Sequence, residues 1–298
     1  MIVNGVSIDD TFAEAFAMRG TRVIITAHTP AWARQAAVSM TGFATSVIGC
    51  GVEAGIEREL DAAQTPDGRP GVAVLLFATS SSELAKQLER RVGQCVLTTP
   101  TSAVFSGIEA GRALPLGKTL RYFGDGYQIS KEIGGRRYWR VPVMDGEFIA
   151  EDTAAMSDAI GGGNFIILAA ATSPALAAAE AAIEAMRRVS GAIMPFPGGV
   201  ARSGSKVGSK YKTLIASTNH AFCPTLRASV DSQLGPDVEC VLEIVIDGLT
   251  EAAVRDSMQA GLRAVCAVGG AGGIRRLSAG NYGGKLGKFH FPLRTLLP

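Results

Sequence analysis

One carboxylate stands where carboxylates are costly. Glu243 lies in Cys240-Val-Leu-Glu-Ile-Val-Ile246, a run that is otherwise apolar. Strand alternation puts Val241, Glu243 and Val245 on one face, and Leu242, Ile244 and Ile246 on the other. A carboxyl on a dry aliphatic face is driven toward its protonated form, so it can hold a proton near neutral pH and donate it. The competing reading is a Glu on a solvated sheet face or at an interface, paired with Arg or Lys. The sequence alone leaves both open.

Other chemistries find less support. There is no G-x-S-x-G, and His28, His220 and His290 are too scattered to propose a Ser–His–Asp triad. No H-E-x-x-H or paired-His spacing occurs, so no protein-bound metal is expected. Cys50, Cys95, Cys223, Cys240 and Cys266 are odd in number and lack a C-x-x-C pair, which argues against a disulfide framework. In the Gly-rich stretch 198–210, Gly199 and Gly204 have the separation of a phosphate-binding loop, but Ser205 precedes Lys206 and the motif fails. Gly161-Gly-Gly-Asn164 does not supply G-x-G-x-x-G either. Glycines do let backbone N–H groups approach a ligand closely, and Lys206 or Lys285 could meet an anionic substituent. Tight turns with solvated lysines are the plainer alternative. Asp125 and Asn219-His220 read as turn residues.

The elements that position these residues repeat. Four stretches follow a strand–helix–strand grammar: strands Arg22–Ala27 and Ala44–Ile48 around a helix to about Met40; Val72–Phe77 and Gln94–Leu97 around a helix to about Val92; Asn164–Leu168 and Ala192–Met194 around a helix to about Val189; Cys240–Ile246 and Ile274–Leu277 around a helix to about Ala267. Thr29, Ser173 and Thr250 suit N-caps, because their hydroxyls can accept from orphan N–H groups of the first turn. Pro30 and Pro174 suit the first helical position, and Ser80 with Glu83 has capping-box spacing. Val254, Met258, Gly261, Leu262 and Val265 share one helical face, as do Leu84 with Leu88, and Leu176, Ala179, Ile183 and Met186.

Four such units in two pairs predict an α+β fold of two ferredoxin-like lobes, each a sheet with helices on one face. The seam falls near 145–160, where the chain is polar and then Gly-rich, dividing it at 1–150 and 151–298. Within 106–150, the runs Thr119–Phe123, Tyr138–Val143 and Glu147–Ile149 read as hairpins. Two Gly-rich segments, Pro197–Gly208 and Ala279–Gly287, follow the third and fourth units, end alike in Lys–aliphatic–Gly, and could face each other across one cleft.

Composition sets the outer bounds. The chain has 298 residues, 47% hydrophobic and 19% charged, with a net charge of +2. That is globular composition, with no signal for a nucleic-acid or anionic-membrane partner. The N-terminus lacks the pattern of a signal peptide. No apolar stretch approaches the ~20 residues of a membrane span. The expected location is the cytoplasm.

Several blocks are too specific for these generalities. Asn4-Gly-Val-Ser-Ile-Asp-Asp-Thr-Phe-Ala-Glu-Ala-Phe16, Thr65-Pro-Asp-Gly-Arg-Pro-Gly71, Phe123-Gly-Asp-Gly-Tyr-Gln128, Pro195-Phe-Pro-Gly-Gly199, Ser205-Lys-Val-Gly-Ser-Lys210 and Ser278–Gly287 resemble, in order and over essentially the whole chain, the formylmethanofuran–tetrahydromethanopterin N-formyltransferases. The resemblance implies an acyltransferase of two lobes per subunit and a homotetramer with intersubunit clefts. It implies no permanently bound cofactor or metal, with methanofuran-type and tetrahydromethanopterin coenzymes as substrates. The family's catalytic glutamate matches Glu243. Substrate-binding groups are expected on the Gly-rich loops at Ser205, Lys206, Asn281 and Lys285; a tetrahedral intermediate would also need oxyanion donors, for which backbone N–H groups or a side chain of these loops are candidates. The Ala-rich, mildly basic chain is most similar to the versions of aerobic methylotrophs. There the protein is one component of a formyltransferase/hydrolase complex that converts formyl-pterin to formate during formaldehyde oxidation. The alternatives are a non-catalytic scaffold for a hydrolase partner and a regulatory ligand-binding protein.

Overall fold

The computed structural model describes residues 1–297. In chain order, the strands of the two lobes are β1 (Phe12–Thr26), β2 (Glu53–Leu60), β3 (Gly71–Ala78), β4 (Ala103–Ser106), β5 (Thr153–Ala169), β6 (Ala192–Ile193), β7 (Cys240–Gly248) and β8 (Ile274–Ser278). Helices α1 (Pro30–Thr41) and α2 (Ser81–Arg91) belong to the first lobe, α3 (Thr172–Met186) and α4 (Glu251–Val268) to the second. The first lobe orders its strands β2-β3-β1-β4, the second β6-β7-β5-β8, all antiparallel. Each is strand–helix–strand twice over, in the ferredoxin-like order. The fold is α+β with two lobes.

The lobes are joined by their first strands. Residues Phe16–Thr21 of β1 pair with Met156–Gly161 of β5 in one continuous ladder. The start of β1 then pairs with Phe289–Pro292 in the second lobe, and the start of β5 with Arg112–Pro115 in the first. The cores follow this exchange. One contains Val23 to Met156; the other contains Ile160 to Leu297 together with Val6, Ile8, Ala13 and Ala15 from the N-terminus. A buried ion pair adds a cross-lobe tie: Arg22 holds Glu57 through Nε and Nη2, both at 2.6 Å, and Glu57 also accepts from the Gly191 N–H at 2.6 Å. Breaking such a pair from one side costs about 3–5 kcal/mol, because a buried charge is left unpaired.

Local chemistry explains the helix starts. The Thr29 and Thr250 side chains accept from the N–H groups of Trp32 and Ala253, and Ser80 accepts from Glu83. The capping box is half formed, since the Glu83 carboxylate turns to Gln87 and Lys86 instead. The expected faces of α2 and α4 are buried. Among the described residues, no helix is long and apolar enough to cross a membrane.

Some expectations are corrected. β1 begins at Phe12, not Arg22. Ala44–Ile48 is no strand: Ser46 caps a short helix, Val47–Cys50, closed by Gly51 at φ +76°, and the second strand is β2. Gln94–Leu97 lies in a π-helical turn that continues α2, and the fourth strand comes later, at β4. Helix α3 starts at Thr172, so Ser173 does not cap it, and Leu176 points outward, 43% exposed. Thr119–Phe123 forms helical turns over Gly117–Leu120 and Arg121–Gly124 rather than a hairpin arm. The hairpin is instead Ile129–Ile133 with Arg136–Val143, its turn made by Gly134 and Gly135 at positive φ, as a two-residue turn requires.

Candidate active site

The second lobe's sheet has one dry face and one open face. Leu242, Ile244 and Ile246 turn toward α3 and α4 in the core, as do Phe165 and Ile167 of β5. Val241, Glu243 and Val245 turn the other way. Part of that open side is covered by the long connection between β6 and β7: Leu234 and Val238 pack on Ile166 and Leu168, beside Val241 and Phe222. The rest opens into a cavity of about 1020 Å³. Its floor includes Glu243, Val245 and Asn164; one wall comes from 201–207, another from 279–286, and the first lobe closes the far side with Met18, Val47, Ile48 and Glu53.

Glu243 sits on that floor without a partner. Its backbone is paired on one side with Ile166 and on the other with Ala201, N–H to carbonyl at 2.8 and 2.9 Å. Among the described residues no hydrogen bond or ion pair reaches its carboxyl. Burial therefore acts unopposed and raises its pKa to about 7. Within the described residues no Arg or Lys pairs with Glu243, as the ion-paired alternative would require. Gly204 lies beside this carboxyl: a Cβ there would stand 3.6 Å from Glu243 Oε2, so any longer side chain would crowd it.

The other residues singled out in the sequence divide. Ser205 and Lys206 line the cavity from the short hairpin Ser205–Val207 with Ala216–Thr218. Asn281 also lines it, but its amide donates to Thr11 Oγ1 and the Phe12 carbonyl, and its oxygen accepts from the Gly283 N–H. Those bonds engage its polar atoms in holding the loop. Lys285 is not brought to the cavity: it is exposed, and its neighbour Leu286, though also exposed, borders the cavity in its place. The two Gly-rich segments do border one cleft, as their shared pattern anticipates. Asp125 adopts φ +50° after a helical turn, as a turn residue would, whereas Asn219 lines the cavity. His290 packs against Phe12 with the ring centroids 4.8 Å apart and the planes tilted by 41°. No cluster of three or more His, Cys, Asp or Glu suited to a metal occurs among the described residues.

Sequence reasoning missed four polar residues at this site. Asn164 clamps Gly280, accepting from its N–H at 2.6 Å and donating to its carbonyl at 3.1 Å. Glu14, fully buried on β1, binds the loop that follows β8. Asp247, two positions beyond Val245 on the open face, is fully buried and accepts from the Gly162 N–H at 3.0 Å. Its neighbour across the lobe junction is Glu53. Burial raises the pKa of both, and the Glu53 charge raises Asp247 further, so the pair retains a proton. Asp247 was legible by the argument used for Glu243, since it continues the same alternation.

Known proteins share this architecture throughout. Residues 1–143 match the family described as formylmethanofuran-tetrahydromethanopterin formyltransferase, and residues 146–296 match the proximal lobe of that family. A Methylococcus capsulatus protein named formylmethanofuran–tetrahydromethanopterin formyltransferase is 67% identical over 100% of both chains. A component of the formyltransferase/hydrolase complex of Methylorubrum extorquens is 53% identical, over 99% of this chain and 97% of that one. The crystal structure of the M. extorquens complex with methylofuran superposes at a TM-score of 0.98 and 52% identity, covering 100% of this chain and 99% of that one. The formyltransferase of Methanosarcina barkeri superposes at 0.94 and 47% identity, with both chains fully covered. Family matches over both lobes, with whole-length relatives above half identical, place the Glu243 cleft in a known lineage: the chain belongs to the formylmethanofuran–tetrahydromethanopterin formyltransferase family.

Proposed function

We propose that this chain is an acyltransferase that moves a formyl group between formylmethanofuran, or its methylofuran counterpart, and N5 of tetrahydromethanopterin or its dephospho form. The setting is one-carbon metabolism, in the oxidation of formaldehyde to formate. The observation that carries the chemistry is the unpaired Glu243 carboxyl on the floor of a large cleft, with a pKa near 7.

The reaction exchanges one nitrogen for another on the formyl carbon. N5 of the pterin attacks, and the new N–C bond forms as the carbonyl oxygen takes up negative charge. The C–N bond to the furan coenzyme then breaks. An amine leaves poorly as an anion, so it must receive a proton; Glu243 donates it and recovers the proton that N5 releases. A pKa near the working pH suits both halves of this exchange. Holding two coenzymes together supplies much of the acceleration, and the size of the cleft supports that role. Ser205 and Lys206, on the exposed side of the cleft, would contact the coenzymes' polar parts. Asn281 would contribute through the loop it fixes, and Lys285 only at the rim.

The lobes, taken as 1–150 and 151–298, would act together, since both border the cleft. We further propose a cytoplasmic homotetramer that joins hydrolase-type subunits. The uncovered apolar side chains Tyr122, Phe123, Tyr127, Ile129 and Ile133 support assembly.

Formyl transfer by the purified chain, with both coenzymes, tests the reading. Glu243→Gln should fold normally and lower turnover by ~10²-fold or more. Wild-type turnover should decline above about pH 7 as Glu243 loses its proton. Turnover by Glu243→Gln close to wild type would remove the assigned role. An inert wild-type chain would instead favour the scaffold alternative.

A further inference from the structure

The cavity wall after β8 has little regular structure of its own, yet its backbone is firmly held. One side chain does most of this. The Glu14 carboxylate accepts from the N–H groups of Tyr282 (2.7 Å), Gly284 (2.8 Å), Leu286 (2.6 Å) and Gly287 (2.5 Å). Burial alone would raise the pKa of Glu14; the four donors outweigh it and bring the carboxyl to about 2. Gly283 and Gly284 sit at φ +75° and +70°, a conformation that lets successive N–H groups converge on an anion. Asn164 fixes the preceding residue pair at Gly280, so the wall is tied on both sides of Tyr282.

What the wall carries into the cleft is Tyr282. Its ring lies 5.8 Å from that of Phe16, and it lines the same cavity as Glu243. Burial, then the charges of Glu243 and Glu14, raise the pKa of its phenol, so the hydroxyl keeps its proton and remains a donor. The side-chain amides of Asn164 and Asn281, which also line the cavity, already donate to backbone carbonyls or to Thr11.

We propose that the Tyr282 hydroxyl donates a hydrogen bond to the formyl oxygen as the tetrahedral intermediate forms, and that Glu14 is the positioning residue that holds it there. The inference rests on the formyl-transfer reading above and extends it to the oxyanion. No proton leaves Tyr282: the oxygen gains charge when the N–C bond forms and returns to a carbonyl when the second C–N bond breaks. A donor fixed before the reaction stabilises that charge at no reorganisation cost.

A double-mutant cycle tests it. Tyr282→Phe should lower kcat by ~10²-fold with KM little changed, the usual loss for one oxyanion donor. Glu14→Gln, which has one acceptor oxygen where four N–H groups need two, should lower kcat by about 10-fold or more. The double variant should be no worse than Tyr282→Phe alone, because both changes remove the same interaction. Glu14→Asp should recover part of the loss, and it replaces Glu14→Gln in the cycle if that variant does not fold. A Tyr282→Phe enzyme within 3-fold of the wild-type kcat, or losses that multiply in full, would overturn the proposal. A wild-type chain that transfers no formyl group would sink the underlying reading instead.

Discussion

In the first lobe, the face of β3 turned away from the helices carries Ala73, Leu75 and Phe77, all buried. At the same positions of β7 the second lobe carries Glu243, Val245 and Asp247. Ala73 precedes the cap Ser80 by the interval at which Glu243 precedes the cap Thr250. The difference lies in the connections. Lobe one joins its second and third strands through the short stretch 61–70, and the open face of β3 is packed against Met18, Ala159 and Ile193. Lobe two makes the same connection through 194–239, which covers one end of its sheet and leaves the other as a cleft. One scaffold thus becomes inert or reactive according to what its loops leave uncovered, as expected when function is grafted on a fold.

The comparison can be broken most severely by moving the acid. Ala73→Glu would bury a carboxyl where no cavity receives it, and should destabilise the chain by ~3–5 kcal/mol, read as a lowered midpoint in urea. Tolerance of that change would show that the two faces are not distinguished by access to the cleft.

The next effect has the opposite sign. An acid whose pKa rises from 4.5 unfolded to about 7 folded costs nothing while protonated, and its cost grows as pH climbs from the unfolded to the folded value. Glu243→Gln should therefore exceed wild type in stability by less than about 1 kcal/mol near pH 5 and by up to ~3 kcal/mol at pH 8.5. Equal stability at both pH values would mean that the carboxyl is better solvated than its surroundings indicate. A gain here alongside a loss of turnover is the trade expected of a functional site.

The smallest effect should be the same in both lobes. Ser80→Ala and Thr250→Ala each remove an N-cap bond, and each should cost about 1 kcal/mol, seen as a small fall in Tm. A markedly larger loss at Thr250 would tie the cap to the strand that bears the acid.

How far this was legible follows from the range of the interactions. The helices announce themselves through neighbours: Thr29 with Pro30, Ser80 with Glu83, Thr250 with the apolar face of α4. Glu243 is legible because strand alternation is local, and Asp247 could have been read the same way. β1 is half hidden because Phe12–Gly20 contains Glu14 and Arg19, which look like surface residues until their partners arrive. Those of Glu14 are N–H groups at Tyr282 to Gly287, at the far end of the chain. Ala44–Ile48 has strand-like residues, yet Ser46 and Gly51 bracket a helical turn too short to show periodicity. Lys285 misleads for a related reason: the Gly-rich pattern marks the loop, but its path is set by the Glu14 carboxylate that binds its N–H groups, and that path leaves Lys285 off the cavity.

The exchanged first strands have a dynamic consequence. A cleft between two bodies usually opens by bending a hinge, but here a ladder from Phe16–Thr21 to Met156–Gly161 runs straight through the junction. Swinging the bodies apart would tear its hydrogen bonds in sequence. Any widening of the cleft is therefore expected at its rim, where the short hairpin Ser205–Thr218 lies outside this ladder, rather than across its floor.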